Sequence, residues 1–330
     1  MINELTPDIV RAFFKNNQGM DISVRQIQSS EGLDIGTASN KSKLGVHLHR
    51  MVLAGELKRI KFGVYRMPTR FEGNRWWEVN PENVFDLSYP YSYEDTSTFG
   101  FEDSLELYPG DVWVIGGYGN SGKTALTLNI LSENMEKHRC LLMGNEYASM
   151  GGKPSPRFIS RLNRLPNEWI ADDKPKFDML PVREHYEDYI DGEHDIYLID
   201  WINLTDKFWE IGRIIEDIKT QLGKGVAIIV LQKNKTSDVG RGGDFSKDLA
   251  DFYTTIDPMG IHARLTVQKA KSPKNNAFLD GRMWAFTVIE KGSRIHNIRE
   301  IKKCRYCGTR GTVRNGDVCN NCGGLGYEDK

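Results

Sequence analysis

Apolar positions in the first seventy residues recur at helical spacing and then alternate, which predicts three helices followed by a β-hairpin. Thr6-Pro7 opens the first helix, with Ile9, Val10, Phe13 and Phe14 on its apolar stripe and Asn16-Asn17-Gln18-Gly19 as its stop. A second helix spans Ser23–Ser30, with Val24 and Ile27 facing inward. After a polar loop at Gly36–Asn40 a third begins, and Leu44, Val46, Leu48, Met51 and Leu53 are its expected buried set. It stops near Gly55, and Leu57–Ile60 and Val64–Met67 flank Phe62-Gly63 as two short strands. Residues 70–99 show no period. Their Asn, Pro, Tyr, Ser and acidic residues read as a linker that packs partly through Trp76, Trp77 and Phe85. Beyond it lie apolar strands at Asp111–Gly116, Arg139–Gly144, Asp195–Asp200 and Gly225–Gln232, with helices at Lys123–Lys137 and Lys207–Leu222. Strands apolar along their whole length need cover on both faces, so the expected fold class is α/β with a mainly parallel sheet. Leu265–Lys271, Met283–Ile289 and Arg294–Arg299 arrive close together and should extend that sheet at one edge as a meander.

Composition narrows the picture. Hydrophobic residues make up 39% of the 330, enough for a core, which excludes a wholly disordered chain. No run of about 18 apolar residues occurs, so no membrane span is expected. Met1-Ile2-Asn3-Glu4-Leu5 lacks the basic and apolar segments of a signal peptide, and the expected compartment is the cytoplasm. Five Cys in a reducing compartment point to metal or burial more than to disulfides. The expected segments are 1–69, an acidic linker at 70–99, an α/β domain at 100–300, and a cysteine tail at 301–330.

The 44 basic and 45 acidic residues are unevenly spread. Residues 1–70 carry eleven Lys or Arg against six acids, and residues 71–110 carry one against nine. The helix–helix–helix–hairpin order of the head resembles the winged-helix variant of the helix-turn-helix family. Lys41, Lys43 and Arg50 on the third helix, with Lys58, Arg59 and Lys61 on the hairpin, suit a helix in the major groove and a hairpin on phosphates. A winged helix that contacts only protein is the alternative.

Gly117-Tyr118-Gly119-Asn120-Ser121-Gly122-Lys123-Thr124 fits G-x-x-x-x-G-K-[ST] and lies between an expected strand and an expected helix. In that context Gly117, Gly119, Asn120, Ser121, Gly122, Lys123, Thr124 and Ala125 form the expected nucleotide cradle. Inward-turned backbone N–H groups and a helix N-terminus favour a polyphosphate, Lys123 reaches the β and γ oxygens, and the Thr124 hydroxyl holds Mg²⁺. Asp200, after four apolar residues, falls at the sheet's C-terminal edge, where it can bind the Mg²⁺ shell. Glu146 follows the second strand and is placed to activate water, or else caps the next helix. Gln232 ends a later strand as a γ-phosphate sensor, or as an ordinary polar strand end.

These residues, with G-K-T-A-L-T-L-N-I and I-D-W-I-N-L, resemble the core of the RecA-like ATPases, and within them the DnaB-type replicative helicases and their phage- or plasmid-borne relatives. The resemblance covers about Leu105 to Arg299. It implies ATP hydrolysis at subunit interfaces of a homo-oligomer, a hexameric ring or filament, with loops facing a DNA strand. It also implies a finger that reaches the neighbouring subunit's ATP, here Lys269 and Lys271, the second a Lys where Arg is usual; a solvated Lys pair is the alternative. The polar segment Lys233–Asp248 follows the sensor, and its Lys233, Lys235 and Arg241 suit a grip on single strands. A solvated surface loop is the plain reading of the same segment.

Cys304-x-x-Cys307 and Cys319-x-x-Cys322 repeat as C-x-x-C-G-x-x-G, with Gly308 matching Gly323 and Gly311 matching Gly326. Four thiolates in two such knuckles suit a structural Zn²⁺ with no open position. The segment resembles a zinc ribbon and, loosely, the cysteine-rich repeats of DnaJ chaperones, with basic neighbours that suit nucleic acid or protein. Cys140, inside an apolar strand, reads as a buried small hydrophobe. The expected function is a DNA-dependent ATPase, a replicative-type helicase of a phage or mobile element, which works on single-stranded DNA beside other replication proteins. A helicase loader, recombination mediator or regulator that uses ATP only for assembly is the alternative, and a machine directed at protein is a third.

Overall fold

The computed structural model describes residues 5–30, 35–68, 76–78, 80–144, 147, 154–204, 208–234 and 237–330. Its chain divides into two units, residues 1–80 and 81–330.

In the first unit α1 (Pro7–Asn16), β1 (Ile22–Ser23), α2 (Val24–Ser29), α3 (Ala38–Leu53), β2 (Lys58–Lys61) and β3 (Val64–Arg66) follow in order. Each helix starts on a side-chain cap. Thr6 accepts from the Ile9 N–H, Ser23 and Gln26 form a capping box, and Thr37 accepts from the Asn40 N–H. The expected hairpin gains a third strand, in the order β1-β3-β2. Val10, Phe14, Ile27, Leu44, Leu48, Met51 and Leu57 share one core. Val46 and Leu53 do not join it; they are 47% and 75% exposed. Each stands two residues from a buried one, about 200° around a helix and so on the opposite face.

The second unit begins with α4 (Phe101–Ser104), β4 (Val112–Gly117), α5 (Lys123–Asn134), β5 (Cys140–Met143) and α6 (Pro156–Leu162). A small ribbon of β6 (Ile170–Ala171) and β7 (Lys174–Pro175) follows, then β8 (Asp178–Leu180), β9 (Ile196–Ile199), α7 (Ile211–Gln221), β10 (Val226–Gln232) and α8 (Asp244–Leu249). The chain ends with β11 (Phe252–Met259), β12 (His262–Ala270), β13 (Met283–Ile289), β14 (Arg294–Lys303) and β15 (Tyr327–Asp329). Among the described residues ten strands make one sheet, ordered β15-β14-β13-β12-β11-β4-β10-β9-β5-β8. The six from β11 to β8 are parallel, and the remaining four join antiparallel. The fold class is thus α/β with a mainly parallel sheet, and the meander lies at one edge as expected. Strand β11, absent from the expected set, separates that meander from β4.

Alternate residues of β4 explain its unbroken apolarity. Trp113 and Ile115 enter the core on one face, while Val112 and Val114 enter the core on the other with α7. On the first face Phe101 packs by its edge against Trp113, Phe252 and Trp284. Leu87, Tyr89 and Phe99 join that core, so residues 81–99 lie against the sheet, pinned by two hydrogen bonds between Asn134 and the Ser88 backbone. Of the aromatics expected to anchor this stretch, Phe85 stacks on His138, but Trp77 is 65% exposed. Cys140 is buried as expected, its thiol pushed up to about 12 by desolvation.

The edge strand β8 is fastened by an ionic clamp. His194 is buried, with Nε2 2.9 Å from Asp178 and Nδ1 2.9 Å from Asp191, whose carboxylate also accepts from the Tyr197 hydroxyl. Burial lowers the imidazole pKa, but the hydrogen bonds and charges of Asp178 and Asp191 outweigh it and hold the value above the ordinary one. A raised histidine pKa contributes stability that is fully present below the unfolded value, about pH 6.5, and is lost as pH rises through the folded one. We therefore expect wild-type protein to exceed His194→Gln in urea stability by an amount that shrinks with rising pH. A difference that stays constant from about pH 6 to about pH 9 would show that the charged clamp contributes nothing.

Candidate functional site

The turn joining β4 to α5 closes on itself. A Cβ at Gly117 would lie 2.7 Å from Lys123 Cγ and Cδ and 2.8 Å from Ser121 Oγ, so only glycine lets those side chains fold back there. Lys123 is buried, and its Nζ donates to the Tyr118 carbonyl at 2.7 Å. Ser121 Oγ is buried with no protein partner among the described residues. Gly119 and Asn120 form the exposed tip, Gly122 has φ 100°, and Thr124 is half-buried. A shielded ammonium, an orphaned hydroxyl and a helix N-terminus around one hollow suit a polyphosphate.

The hollow is a cavity of about 440 Å³ lined by Gly119 through Ala125 and also by Asp200 and Gln232. Strand register brings these together. Gln232 pairs with Gly117 across β10 and β4, and Asp200 follows Ile199, the last residue of the next strand over. Asp200 is 1% exposed, its backbone N–H donates to the Met143 carbonyl, and Oδ2 accepts from the Tyr147 hydroxyl at 2.8 Å. Its peptide bond to Trp201 is cis. Thr124 and Asp200 offer hard oxygen donors of the kind Mg²⁺ takes. Glu146 lies outside the described residues, as does Lys235.

Arg161 from α6, Trp201, Pro258, Ile261, His262 and Val288 also line it. Sequence reasoning missed all of these, and it missed Tyr147. Only Trp201 and Tyr147, directly beside expected site residues, carried a local signal. The others come from distant elements. Arg161 also meets the turn between β13 and β14, where a Cβ at Gly292 would lie 3.4 Å from its guanidinium.

Two expectations change. Lys233 does not extend into a loop: it is buried, its Nζ is 2.6 Å from Asp257, and its N–H donates to the Gly117 carbonyl. A lysine already paired inside the sheet cannot grip a strand. The segment after it is also not loop throughout, because Asp244–Leu249 forms α8. Arg241 is half-buried, with its guanidinium 5.2 Å over the Phe208 ring. Lys269 and Lys271 stand near the N-terminal end of β4, away from the P-loop of their own chain. Lys269 donates to the carbonyls of Lys247 and Asp248, and Lys271 pairs with Asp251, which also binds Lys219 and the Val112 N–H. Burial holds the Lys269 pKa low, the Asp251 contact holds that of Lys271 high, and burial raises Asp111 nearby to about 6.

In the first unit Lys41, Arg50, Lys58, Arg59 and Lys61 are exposed and Lys43 is half-buried. Arg66 of β3 is tied to Asp21 at 2.6 Å.

The four cysteines converge. Cys304 and Cys319 sulfurs are 3.8 Å apart, those of Cys307 and Cys322 3.6 Å, and all four lie within 4.8 Å of one another. Tetrahedral thiolates about 2.3 Å from Zn²⁺ stand about 3.8 Å apart, so the donor set fits that ion. Asn321 Nδ2 and the Gly326 N–H donate to Cys304 and Cys322 sulfur, as outer contacts that favour thiolate.

No protein-family model matches the chain, and no curated protein does. Solved structures similar to part of it include a recombinase, an ATPase domain and a KaiC-like protein. The RadB recombinase is 13% identical, with a TM-score of 0.42 over 58% of this chain and 92% of that one. A second structure, an ATPase domain, is 12% identical, with a TM-score of 0.42 over 58% and 86%. A KaiC-like protein from the hyperthermophilic archaeon Pyrococcus horikoshii OT3 is 13% identical, with a TM-score of 0.45 over 65% and 98%. No helix among the described residues is long and apolar enough to cross a membrane.

Proposed function

We propose that this chain is a RecA-like ATPase that couples ATP hydrolysis to a grip on single-stranded DNA, as a replicative-type helicase does. The observation that carries the reading is one cavity in which the P-loop, Asp200 and Gln232 meet at the C-terminal ends of neighbouring parallel strands. In it the backbone N–H groups of residues 119–123 bind the phosphates, and Lys123 exchanges the Tyr118 carbonyl for a β- or γ-oxygen. Mg²⁺, held by Thr124 and Asp200, would supply positive charge to the leaving oxygens. Tyr147 fixes the Asp200 carboxylate by its hydroxyl, and Gln232 reads the γ-phosphate. Glu146 remains the proposed base for the attacking water.

Two loops leave the same sheet edge after Asp200 and Gln232, and they carry a feature that favours nucleic acid. Trp209 is 65% exposed and Phe245 61%. Arg241 lies over Phe208, and a Cβ at Gly242 would come within 3.0 Å of the Phe208 carbonyl, so the two loops touch. Exposed rings on two segments that meet where Arg241 covers Phe208 suit a stacking platform for bases. The exposed cations of the first unit suit duplex phosphates, and a homo-oligomeric ring or filament would place such platforms along one strand.

ATP turnover with and without single-stranded oligonucleotide tests the reading, and turnover indifferent to DNA would turn it toward a protein-directed machine. Strand displacement on a tailed duplex separates a motor from a loader or recombination mediator. Trp209→Ala should weaken oligonucleotide binding by about 1–3 kcal/mol, read by fluorescence anisotropy. Affinity equal to wild type would remove Trp209 from the platform.

A further inference from the structure

The cysteine-bearing tail is not a separate appendage. Strand β15 pairs with β14 as the outermost strand of the main sheet, and the Cys304 N–H donates to the Gly326 carbonyl. Leu325, between Cys322 and β15, packs with Tyr327 against Met259, Ala285 and Ile301. A Cβ on Gly260 would sit 3.3 Å from Leu325 Cδ2. Met259 ends β11 and Gly260-Ile261 turn the chain into β12, and Pro258, Gly260, Ile261 and His262 at that corner line the nucleotide cavity.

A second line of contacts runs parallel to the first. The Arg264 guanidinium lies 4.7 Å over the Tyr327 ring and donates to Asp257 at 2.9 Å. Asp257 in turn holds Lys233, whose N–H donates to the carbonyl of Gly117, the residue that opens the P-loop. The knuckle thus touches one wall of the cavity directly and its phosphate cradle through two ion pairs.

Beside the β14 pairing and this packing, the cysteine cluster fixes the chain just before Leu325 and Tyr327, since Cys322 lies three residues ahead of Leu325. The cluster's buried core consists of the four cysteines alone. The two knuckles meet backbone to backbone, because a Cβ at Gly311 would lie 2.2 Å from the Gly324 carbonyl and one at Gly326 would lie 2.6 Å from that of Thr309. A segment with so little apolar burial depends on a metal for its fold.

We propose that the metal-loaded cysteine knuckle is a positioning element of the nucleotide site, so that metal occupancy and nucleotide affinity are thermodynamically coupled through Leu325, Tyr327 and the β11–β12 turn. The inference rests on the nucleotide reading of the cavity. Loss of the metal frees Leu325 from Gly260 and Tyr327 from Arg264, and the cavity wall loses its support. Linkage makes the effect reciprocal: nucleotide must tighten metal retention by the same factor.

The experiment uses the full chain loaded with Zn²⁺ and a fluorescent non-hydrolysable ATP analogue with Mg²⁺. Chelation of zinc, and separately Leu325→Ala, should each raise the analogue's Kd about tenfold, within the range of such couplings. Zinc content of Leu325→Ala should stay at one ion per chain, and Leu325→Met, of similar volume, should restore most of the affinity. In the reciprocal arm, saturating analogue should shift equilibrium zinc competition against a chelator by the same factor. If loaded wild-type protein binds no analogue, the nucleotide reading itself fails. If it binds and Leu325→Ala binds equally well, or the analogue leaves zinc competition unmoved, the coupling is wrong while the nucleotide reading stands.

Discussion

Replacing Lys123 with alanine is expected to lower ATP turnover by at least about a hundredfold. The ammonium is the one cation among residues 117–125, and it is buried, so its charge acts on phosphate oxygens with little screening. Charge that develops on the transferring phosphoryl group is stabilised mainly by such fixed partners, because little covalent chemistry is left for the protein to do. The side chain donates to a neutral carbonyl, that of Tyr118, so its removal strands no opposite charge at that contact. The thermal midpoint of the variant is read beside turnover, so that loss of fold is told apart from loss of catalysis. Phosphate release at saturating Mg-ATP is the measurement, and turnover within a few-fold of wild type would end the assignment of this loop to catalysis.

Gly144→Ala should damage fold and site together. A Cβ at that position would lie 2.0 Å from the Asp200 carbonyl oxygen, 2.9 Å from its carbon and 2.8 Å from Tyr147 Cε2. Backbone cannot yield as a flexible side-chain end can, so the C-terminal ends of β5 and β9 must part. Overpacking of this kind costs about 1–3 kcal/mol, and here the displaced residue is the one proposed to hold Mg²⁺. We expect a lowered unfolding midpoint and a raised Mg²⁺ requirement for turnover in the same variant. Gly119→Ala, where a Cβ meets nothing within 4 Å, is the control for stability. Equal stability of Gly144→Ala and Gly119→Ala would mean that β5 and β9 do not approach as described.

The parts of this molecule that are legible without a structure share one property: their chemistry is written in consecutive residues. The phosphate cradle needs glycines, a lysine and a hydroxyl at fixed spacing between a strand and a helix, and Gly117–Thr124 provides them in eight positions. Two C-x-x-C pairs describe a metal site in the same way. Apolar runs such as V-A-I-I-V-L imply a sheet covered on both faces, because each residue must be buried on one side or the other. Strand β11 escapes such a reading although Phe252–Ile256 is rich in aromatic and β-branched residues. Its two threonines read as polar, yet Thr254 is buried and accepts from the Trp113 indole.

By itself, then, the sequence determined the α/β class, the cradle and the cysteine set, since each follows from local spacing and periodicity. Only the tertiary structure decided that Lys233 is an internal ion-pair partner and not a loop cation. It alone brought Arg161, Ile261 and His262 to the cavity, and it alone seated Leu325 on the turn that walls it. These outcomes depend on which strands lie side by side, and that order is selected by burial and pairing between segments far apart in the chain, which no short-range pattern encodes.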